Sequence, residues 1–456
     1  MFLRPDRTLT RLSGRSVRHW LRDRHLRSIL RNSSYLAISK AVAAPASLLT
    51  LALAGRSLGL VAFGTLVLIN SYVKAAGSLA KFQSWQVVVR YGGRPLEASG
   101  TGQFRSAIDF ALGLDVLGSV IALTAAGALV PLLAPAVGIP ASHVAATLAY
   151  CTLLPLIVPA TSVGVLRAID RFDLAAWQGT ATPMLRAILV AAAWAANARF
   201  EVFLAIWYLS LAGGALLGWL LAGRELARHG LLRGLRPTLR STSLPGAWHF
   251  ALNANVNSAL GSASGSIARL LVGALLGPAG AALYRVASAI SGAIAKPADL
   301  LAKAFYPEVV RMDASTRAPW RLMFRSAALA ATVAIVAIVA LIAFGKPFIG
   351  LVFGPRFGGG YQPLLVLALV PLIQTIACPM PWMLYALDRP QGPAAARLTC
   401  VGLYLSCIAP LTWAFGLIGA AAALVAGEAA RLLVMSVMLG REYRRSSATW
   451  RSPGWC

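Results

Sequence analysis

The chain contains about twelve apolar stretches, each long enough to cross a lipid bilayer as a helix. A helix needs about 20 apolar residues to span a hydrocarbon core about 30 Å thick. Because no water satisfies the backbone there, segments of this kind must form helices, and the sequence predicts an all-α polytopic membrane protein. We place the spans near residues 33–55, 59–80, 106–133, 142–166, 176–197, 201–222, 246–273, 280–303, 326–351, 361–387, 394–414 and 418–440.

The charged residues follow the connections between these spans. Only 12% of the 456 residues are charged, about half the share in a soluble domain, yet the net charge is +27. Most of the 42 Lys and Arg residues fall in alternate connections, and those at the opposite end are Arg56, Arg199, Lys346 and Arg356. This asymmetry is typical of the positive-inside rule, so we expect both termini in the cytoplasm. The net charge therefore requires no nucleic-acid partner.

Five segments follow from this layout. The arm at 1–31 carries nine arginines and lacks the apolar core of a signal peptide, so we expect it to remain cytoplasmic. The other four are an N-lobe of six helices (32–222), a basic cytoplasmic linker (223–245), a C-lobe of six helices (246–440) and a cytoplasmic tail (441–456).

The two predicted lobes share a pattern. A short Leu-Gly turn, a span with embedded basic residues and a basic exit occur after Gly59 and again, 218 residues later, after Gly277. Internal duplication is the usual plan of a membrane transporter. The spacing thus indicates transport through the bilayer.

Basic residues within the spans are the first candidates for a binding site, because charge inside hydrocarbon costs about 2.5–3.5 kcal/mol on insertion scales. Lys40, Lys74 and Lys296 are predicted to lie about 10 Å from the cytoplasmic side. Arg269 and Arg285 are predicted near the outer side, which makes two cationic levels. All five are candidate ligands for an anion.

Each cation also has a structural alternative. Arg269 and Arg285 are close enough to the outer edge to snorkel to it. Lys296 has Asp299 as a competing partner, and Arg431 has Glu428 one helical turn away. Arg186 lacks an acidic neighbour in its own span, but Asp109 or Asp115 in the third span are possible partners.

The seventh span carries a polar stripe. His249, Asn253, Asn257, Gly261 and Ser264 recur at helical spacing and so share one face. Asn253 and Asn257 are candidates for hydrogen bonds to a sugar or a pyrophosphate. Helix packing by small and amide residues explains the stripe equally well.

Signatures of catalysis are missing from the sequence. We find no GxxxxGK[ST], HExxH or GxSxG motif, and the acidic residues are scattered, with no pair within a span that suggests carboxylate catalysis. The five cysteines form neither a CxxC motif nor a Cys/His cluster. We therefore expect a protein that is not an enzyme and that requires no cofactor or metal.

Several segments resemble a known family. GRSLGLVAFG (residues 55–64) is similar to the Arg-x-Leu-Gly-x-x-x-Phe-Gly motif that begins the second helix of oligosaccharide flippases of the multidrug/oligosaccharidyl-lipid/polysaccharide exporter superfamily. Further matches are FQSWQVVVRYG after that helix, and LGPAGAALYRVA and FYPEVVR in the second half. The resemblance implies two six-helix lobes around a central cavity.

The resemblance also implies a function. Flippases of this kind move an undecaprenyl-pyrophosphate-linked oligosaccharide across the bacterial inner membrane for surface polysaccharide assembly. The family's cationic cavity would here involve Lys40, Lys74, Arg269, Arg285 and Lys296. Expected partners are the lipid-linked oligosaccharide, membrane lipids, and the polymerase and chain-length machinery.

Two other functions stay open at this point. A cation-coupled multidrug exporter of the same superfamily should place carboxylates in its cavity, whereas these spans hold more base than acid. A polysaccharide polymerase should have a sizeable periplasmic loop, and no outer connection is long enough to form one.

Overall fold

A computed structural model describes residues 24–93, 101–311, 317–387, 389 and 391–451. Within these ranges the side chains of residues 24–33, 36, 256–258, 260, 296–311 and 446–451 are not described. Every regular element in the described ranges is a helix.

Fifteen α-helices are described, some of them short pieces of one broken span. They are α1 (Arg24–Ala80), α2 (Ser84–Tyr91), α3 (Thr101–Ala136), α4 (Val144–Cys151), α5 (Leu154–Ile157), α6 (Thr161–Ala168), α7 (Phe172–Ala195), α8 (Phe200–Arg228), α9 (Ala247–Ser262), α10 (Ser264–Arg311), α11 (Ala318–Phe353), α12 (Tyr361–Leu367), α13 (Leu369–Ala377), α14 (Met380–Ala386) and α15 (Gln391–Arg451). Two 3₁₀ turns, Ala141–His143 and Pro355–Gly360, precede α4 and α12.

Three long helices turn back at an internal glycine. The breaks are at Gly59 in α1, Gly277 in α10 and Gly416 in α15, all with positive φ. The breaks divide α1 and α15 into two crossings each, and α9 with α10 into two more. The broken spans α4–α6 and α12–α14 make one crossing each, as do α3, α7, α8 and α11. The described helices thus make twelve crossings. This number agrees with the sequence prediction.

Length and composition support membrane insertion. Seven described helical stretches are long and apolar enough to cross a bilayer, and the pair Ala141–Cys151 and Leu154–Ala168, bent by 44°, makes an eighth. Large apolar side chains also point outward, among them Trp413 at 91% exposure and Leu351 at 76%. Such a surface is suited to lipid rather than to water.

The two halves pack closely against each other where α1 and α10 turn. Gly64 lies so close to Pro278 that a Cβ on it would collide with the Pro278 carbonyl. Phe63 in the first half makes an edge-to-face contact with Phe357 in the second, with ring centroids 5.9 Å apart. Glycine and edge-to-face aromatic packing thus join the halves at this end.

Candidate functional site

A cavity of about 330 Å³ is lined mostly by helices of the first half and by two arginines of the second. Its walls come from both segments of α1, from α7 and α8, and from two arginines of α10. The lining residues are Ser47, Thr50, Leu51, Leu66, Val67, Asn70, Ser71, Lys74, Gly179, Thr182, Pro183, Arg186, Trp207, Leu211, Arg269 and Arg285. We call it the cationic cavity.

Four positive side chains line the cationic cavity, namely Lys74, Arg186, Arg269 and Arg285. None of the described lining residues is acidic. Within the described part of the chain, none of the four forms an ion pair with a carboxylate. Because clustered buried charges of one sign repel each other and lose hydration, this arrangement favours an anion as ligand.

Arg269 is fixed across the boundary between the halves. Its Nε donates a hydrogen bond to Ser71 Oγ at 2.7 Å, and its Nη2 donates to Ser266 Oγ at 3.0 Å. Ser71 lies in α1 of the first half, so Arg269 points inward and does not snorkel outward. With respect to the described residues, its other N–H groups remain available for a ligand, since a guanidinium has five.

Two residues of α8, Ser210 and Trp207, hold the guanidinium of Arg186. Its Nε donates to Ser210 Oγ at 2.7 Å, and its guanidinium carbon lies 5.2 Å from the centroid of the Trp207 ring. Among the residues that the structure describes, its buried Nη2 has no hydrogen-bond partner, and neither has the buried Oδ1 of Asn70, which also lines the cavity. Buried polar groups usually have partners, so these two atoms point to a bound ligand or water.

The acidic residues considered as partners of Arg186 are used elsewhere. Asp115 accepts a hydrogen bond from Ser84 Oγ at 2.5 Å and from the backbone N–H groups of Ala160 and Thr161. Asp109 accepts from the backbone N–H of Arg236 at 2.8 Å. The sequence alone did not assign Arg186 to the binding site, and only the approach of α8 with Trp207 reveals where it points.

Three of the sequence-predicted cations share this cavity. The sequence predicts two levels for Lys74, Arg269 and Arg285, but all three line the same cavity. Lys40 is exposed and does not line it. Ser47, the first lining residue of α1, follows Lys40 by two helical turns, about 10 Å along the axis.

The remaining predicted site residues lie outside the cationic cavity or outside the described side chains. Asn253 is exposed, and its Nδ2 is 2.9 Å from His249 Nε2. The side chains of Asn257 and Lys296 are not among those described, so their assignments stay predictions, as does the alternative pairing of Lys296 with Asp299. The predicted pair of Arg431 and Glu428 is confirmed, with a distance of 2.6 Å from Nε to Oε2.

The chemistry of the cationic cavity favours a compact polyanion. Guanidinium groups bind phosphate oxygens through paired N–H donors, and Lys adds a mobile point charge. Ser, Thr and Asn groups in the wall supply further hydrogen bonds. Among the residues that the structure describes, no group of three His, Cys, Asp or Glu side chains is placed to hold a metal ion.

Comparison with known proteins places the chain in a family. No family model matches the sequence. The inner membrane protein YghQ of Escherichia coli (strain K12) is 38% identical over 353 residues, which cover 77% of this chain and 99% of YghQ. The chain belongs to the YghQ family. It is thus a multi-pass inner membrane protein.

Solved structures place the YghQ family chain in a known fold. An inward-facing multidrug resistance MATE family transporter of the MOP superfamily has a TM-score of 0.66 at 14% identity, covering 94% of this chain and 100% of that chain. The lipid II flippase MurJ in an inward closed conformation has a TM-score of 0.69 at 12% identity, covering 89% and 87%. The predicted all-α fold with two six-helix lobes around a cavity is confirmed. At these identities the likeness shows a shared fold.

Proposed function

We propose that this protein translocates an undecaprenyl-pyrophosphate-linked oligosaccharide from the cytoplasmic to the periplasmic face of the inner membrane by alternating access. The observation that carries this proposal is the cationic cavity, in which Lys74, Arg186, Arg269 and Arg285 meet without a described carboxylate. A pyrophosphate cannot cross hydrocarbon bare, and these groups replace its hydration inside the protein.

The position of the cavity suits such a cycle. Its wall joins α1, α7 and α8 of the first half to arginines of the second, so rocking of one half against the other changes its shape. The lipid tail stays in the bilayer while the head group is inside. Lys40 and Lys296 are proposed to receive the head group first, and Asn253 and Asn257 to bind its sugars.

The competing function is export of drugs, because MATE transporters share the fold. A cavity for cationic drugs and coupling ions needs negative charge, and the described lining offers none. The charge of the cavity therefore favours an anionic cargo over a cationic one.

The decisive experiment uses a strain that lacks the gene. We expect lipid-linked oligosaccharide to accumulate on the inner leaflet and surface polysaccharide to fall. The wild-type gene should return the lipid-linked oligosaccharide and the surface polysaccharide to normal levels. The double variant Lys74→Gln with Arg285→Gln should not. The control Lys346→Gln, which changes an exposed lysine outside the cavity, should behave like the wild type. Protein level and thermal stability of each variant are measured in parallel.

Three outcomes contradict the proposal. Wild-type polysaccharide export by the double variant would remove the cationic cavity from the mechanism. A gain in drug sensitivity without change in lipid-linked oligosaccharide would assign the protein to drug export. Unpolymerised oligosaccharide on the outer leaflet would assign it to polymerisation.

A further inference from the structure

We infer that a second basic pocket, at the predicted cytoplasmic end of the C-lobe, binds the phosphate group of an anionic phospholipid. The pocket has a volume of about 260 Å³ and lies between the end of α14 and the two ends of α15. Its lining includes Leu384, Arg389, Gly392, Met438, Arg441 and Arg445, with Glu442 between the arginines. The inference is independent of what the protein transports.

The fold of α15 creates this pocket. The helix turns back at Gly416, and its first turn therefore lies beside its last turns. A Cβ on Gly392 would lie 3.0 Å from both Leu384 Cδ1 and Met438 Cε. This close approach builds an apolar floor beneath the arginines.

The arginines are oriented but not neutralised. Glu442 Oε1 lies 3.3 Å from Arg389 Nε in an ion pair, and it accepts a hydrogen bond from Arg445 Nη1 at 3.1 Å. Arg441 has no ion pair with a carboxylate in the described part of the chain. Three guanidinium groups face one described carboxylate, so the pocket retains positive charge and unused N–H donors.

The surroundings favour a lipid as the source of the phosphate. Leu433 and Val437 are exposed at 65% and 46%, and they lie on the same face of α15 as Arg441 and Arg445 because the four are spaced by four residues. An apolar, outward-facing stripe thus ends in two pocket arginines. Acyl chains along the stripe would place a headgroup phosphate in the pocket.

Aromatic residues support an interfacial position. Tyr443, 41% exposed, contacts Trp320 edge to face with ring centroids 5.0 Å apart. Tyr and Trp concentrate where membrane meets water. Basic pockets between helices at the cytoplasmic side are suited to anionic headgroups.

The test uses the full-length protein in nanodiscs. Retention of phosphatidylglycerol against phosphatidylcholine is measured by native mass spectrometry, for wild type, Arg441→Gln and the control Arg325→Gln, an exposed arginine of α11 outside the pocket. We expect wild type and Arg325→Gln to prefer phosphatidylglycerol and Arg441→Gln to bind it about 10-fold more weakly. Arg389→Gln serves as a second variant if Arg441→Gln fails to fold.

Inorganic phosphate distinguishes the two sources of the anion. If millimolar phosphate displaces phosphatidylglycerol, the site is for a phosphate group in solution; if it does not, the lipid is the ligand. Equal retention of the two lipids by wild type, or unchanged phosphatidylglycerol retention in both pocket variants, would overturn the inference.

Discussion

Gly59 and Gly277, 218 residues apart, have nearly the same backbone conformation. Their φ and ψ angles are 73° and −177° for Gly59, and 70° and −176° for Gly277. Each glycine is the point where a long helix turns back between two crossings. The repeat inferred from the sequence is therefore a repeat of backbone geometry.

The first prediction concerns Gly277. Only glycine readily adopts the φ and ψ angles of Gly277, so a residue with a side chain at this position costs about 1–3 kcal/mol of backbone strain. We expect Gly277→Ala to lower the thermal unfolding temperature of the purified protein. Gly292→Ala is the matched control, since a Cβ added at either glycine would meet open space and Gly292 has ordinary helical geometry. Equal unfolding temperatures for the two variants would contradict the strain argument.

The second prediction concerns the support of Arg186 by Trp207. Trp207→Leu keeps all four charges of the cationic cavity but removes the ring beneath the guanidinium. A cation–π contact of this kind contributes about 0.5–2 kcal/mol, so we expect binding of a pyrophosphate-bearing lipid to weaken by about 2- to 30-fold in a titration. Trp177→Leu, at a side chain with 70% exposure in the same lobe, should leave binding unchanged. Equal loss in both variants would show that Trp207 has no specific role.

The third prediction concerns a contact that joins the halves. Arg56 donates from Nε to the Val352 carbonyl at 2.9 Å and from Nη2 to the Leu351 carbonyl. Both carbonyls lie in the last turn of α11, where they lack partners within the helix. We expect Arg56→Gln to raise hydrogen–deuterium exchange across residues 351–360.

Lys346→Gln provides the control for this contact. It changes an exposed basic residue of the same helix without touching the two carbonyls. Exchange in residues 351–360 that stays at the wild-type level in Arg56→Gln would mean that the aromatic contact of Phe63 with Phe357 suffices to hold this end together.

The fourth prediction concerns the Glu428–Arg431 pair. Gln374 Nε2 also donates to Glu428 at 2.9 Å, so Glu428 is held from two helices. Glu428→Leu leaves the half-buried guanidinium of Arg431 without this partner. We expect the free energy of unfolding to fall by about 1–3 kcal/mol. The double variant Glu428→Leu with Arg431→Met should be more stable than the single variant, because it removes the unpaired charge. A double variant no better than the single one would show that Arg431 finds another partner.

The sequence by itself determined the membrane class, the twelve crossings, the repeat and the Glu428–Arg431 pair. These features depend on the length and polarity of contiguous segments or on neighbours one helical turn apart. Hydropathy shows the length and polarity of each segment, and helical spacing shows which residues are neighbours on one helix.

Only the tertiary structure decided which cations share a cavity. Lys40 and Lys74 have the same depth by residue counting, yet Lys40 is exposed and Lys74 lines the cationic cavity. Arg186 joins that cavity, where Trp207 and Ser210 of α8 hold its guanidinium. In a span that is apolar on all sides, the sequence does not mark which face meets another helix, so the direction of each charge is set by packing between segments far apart in the chain.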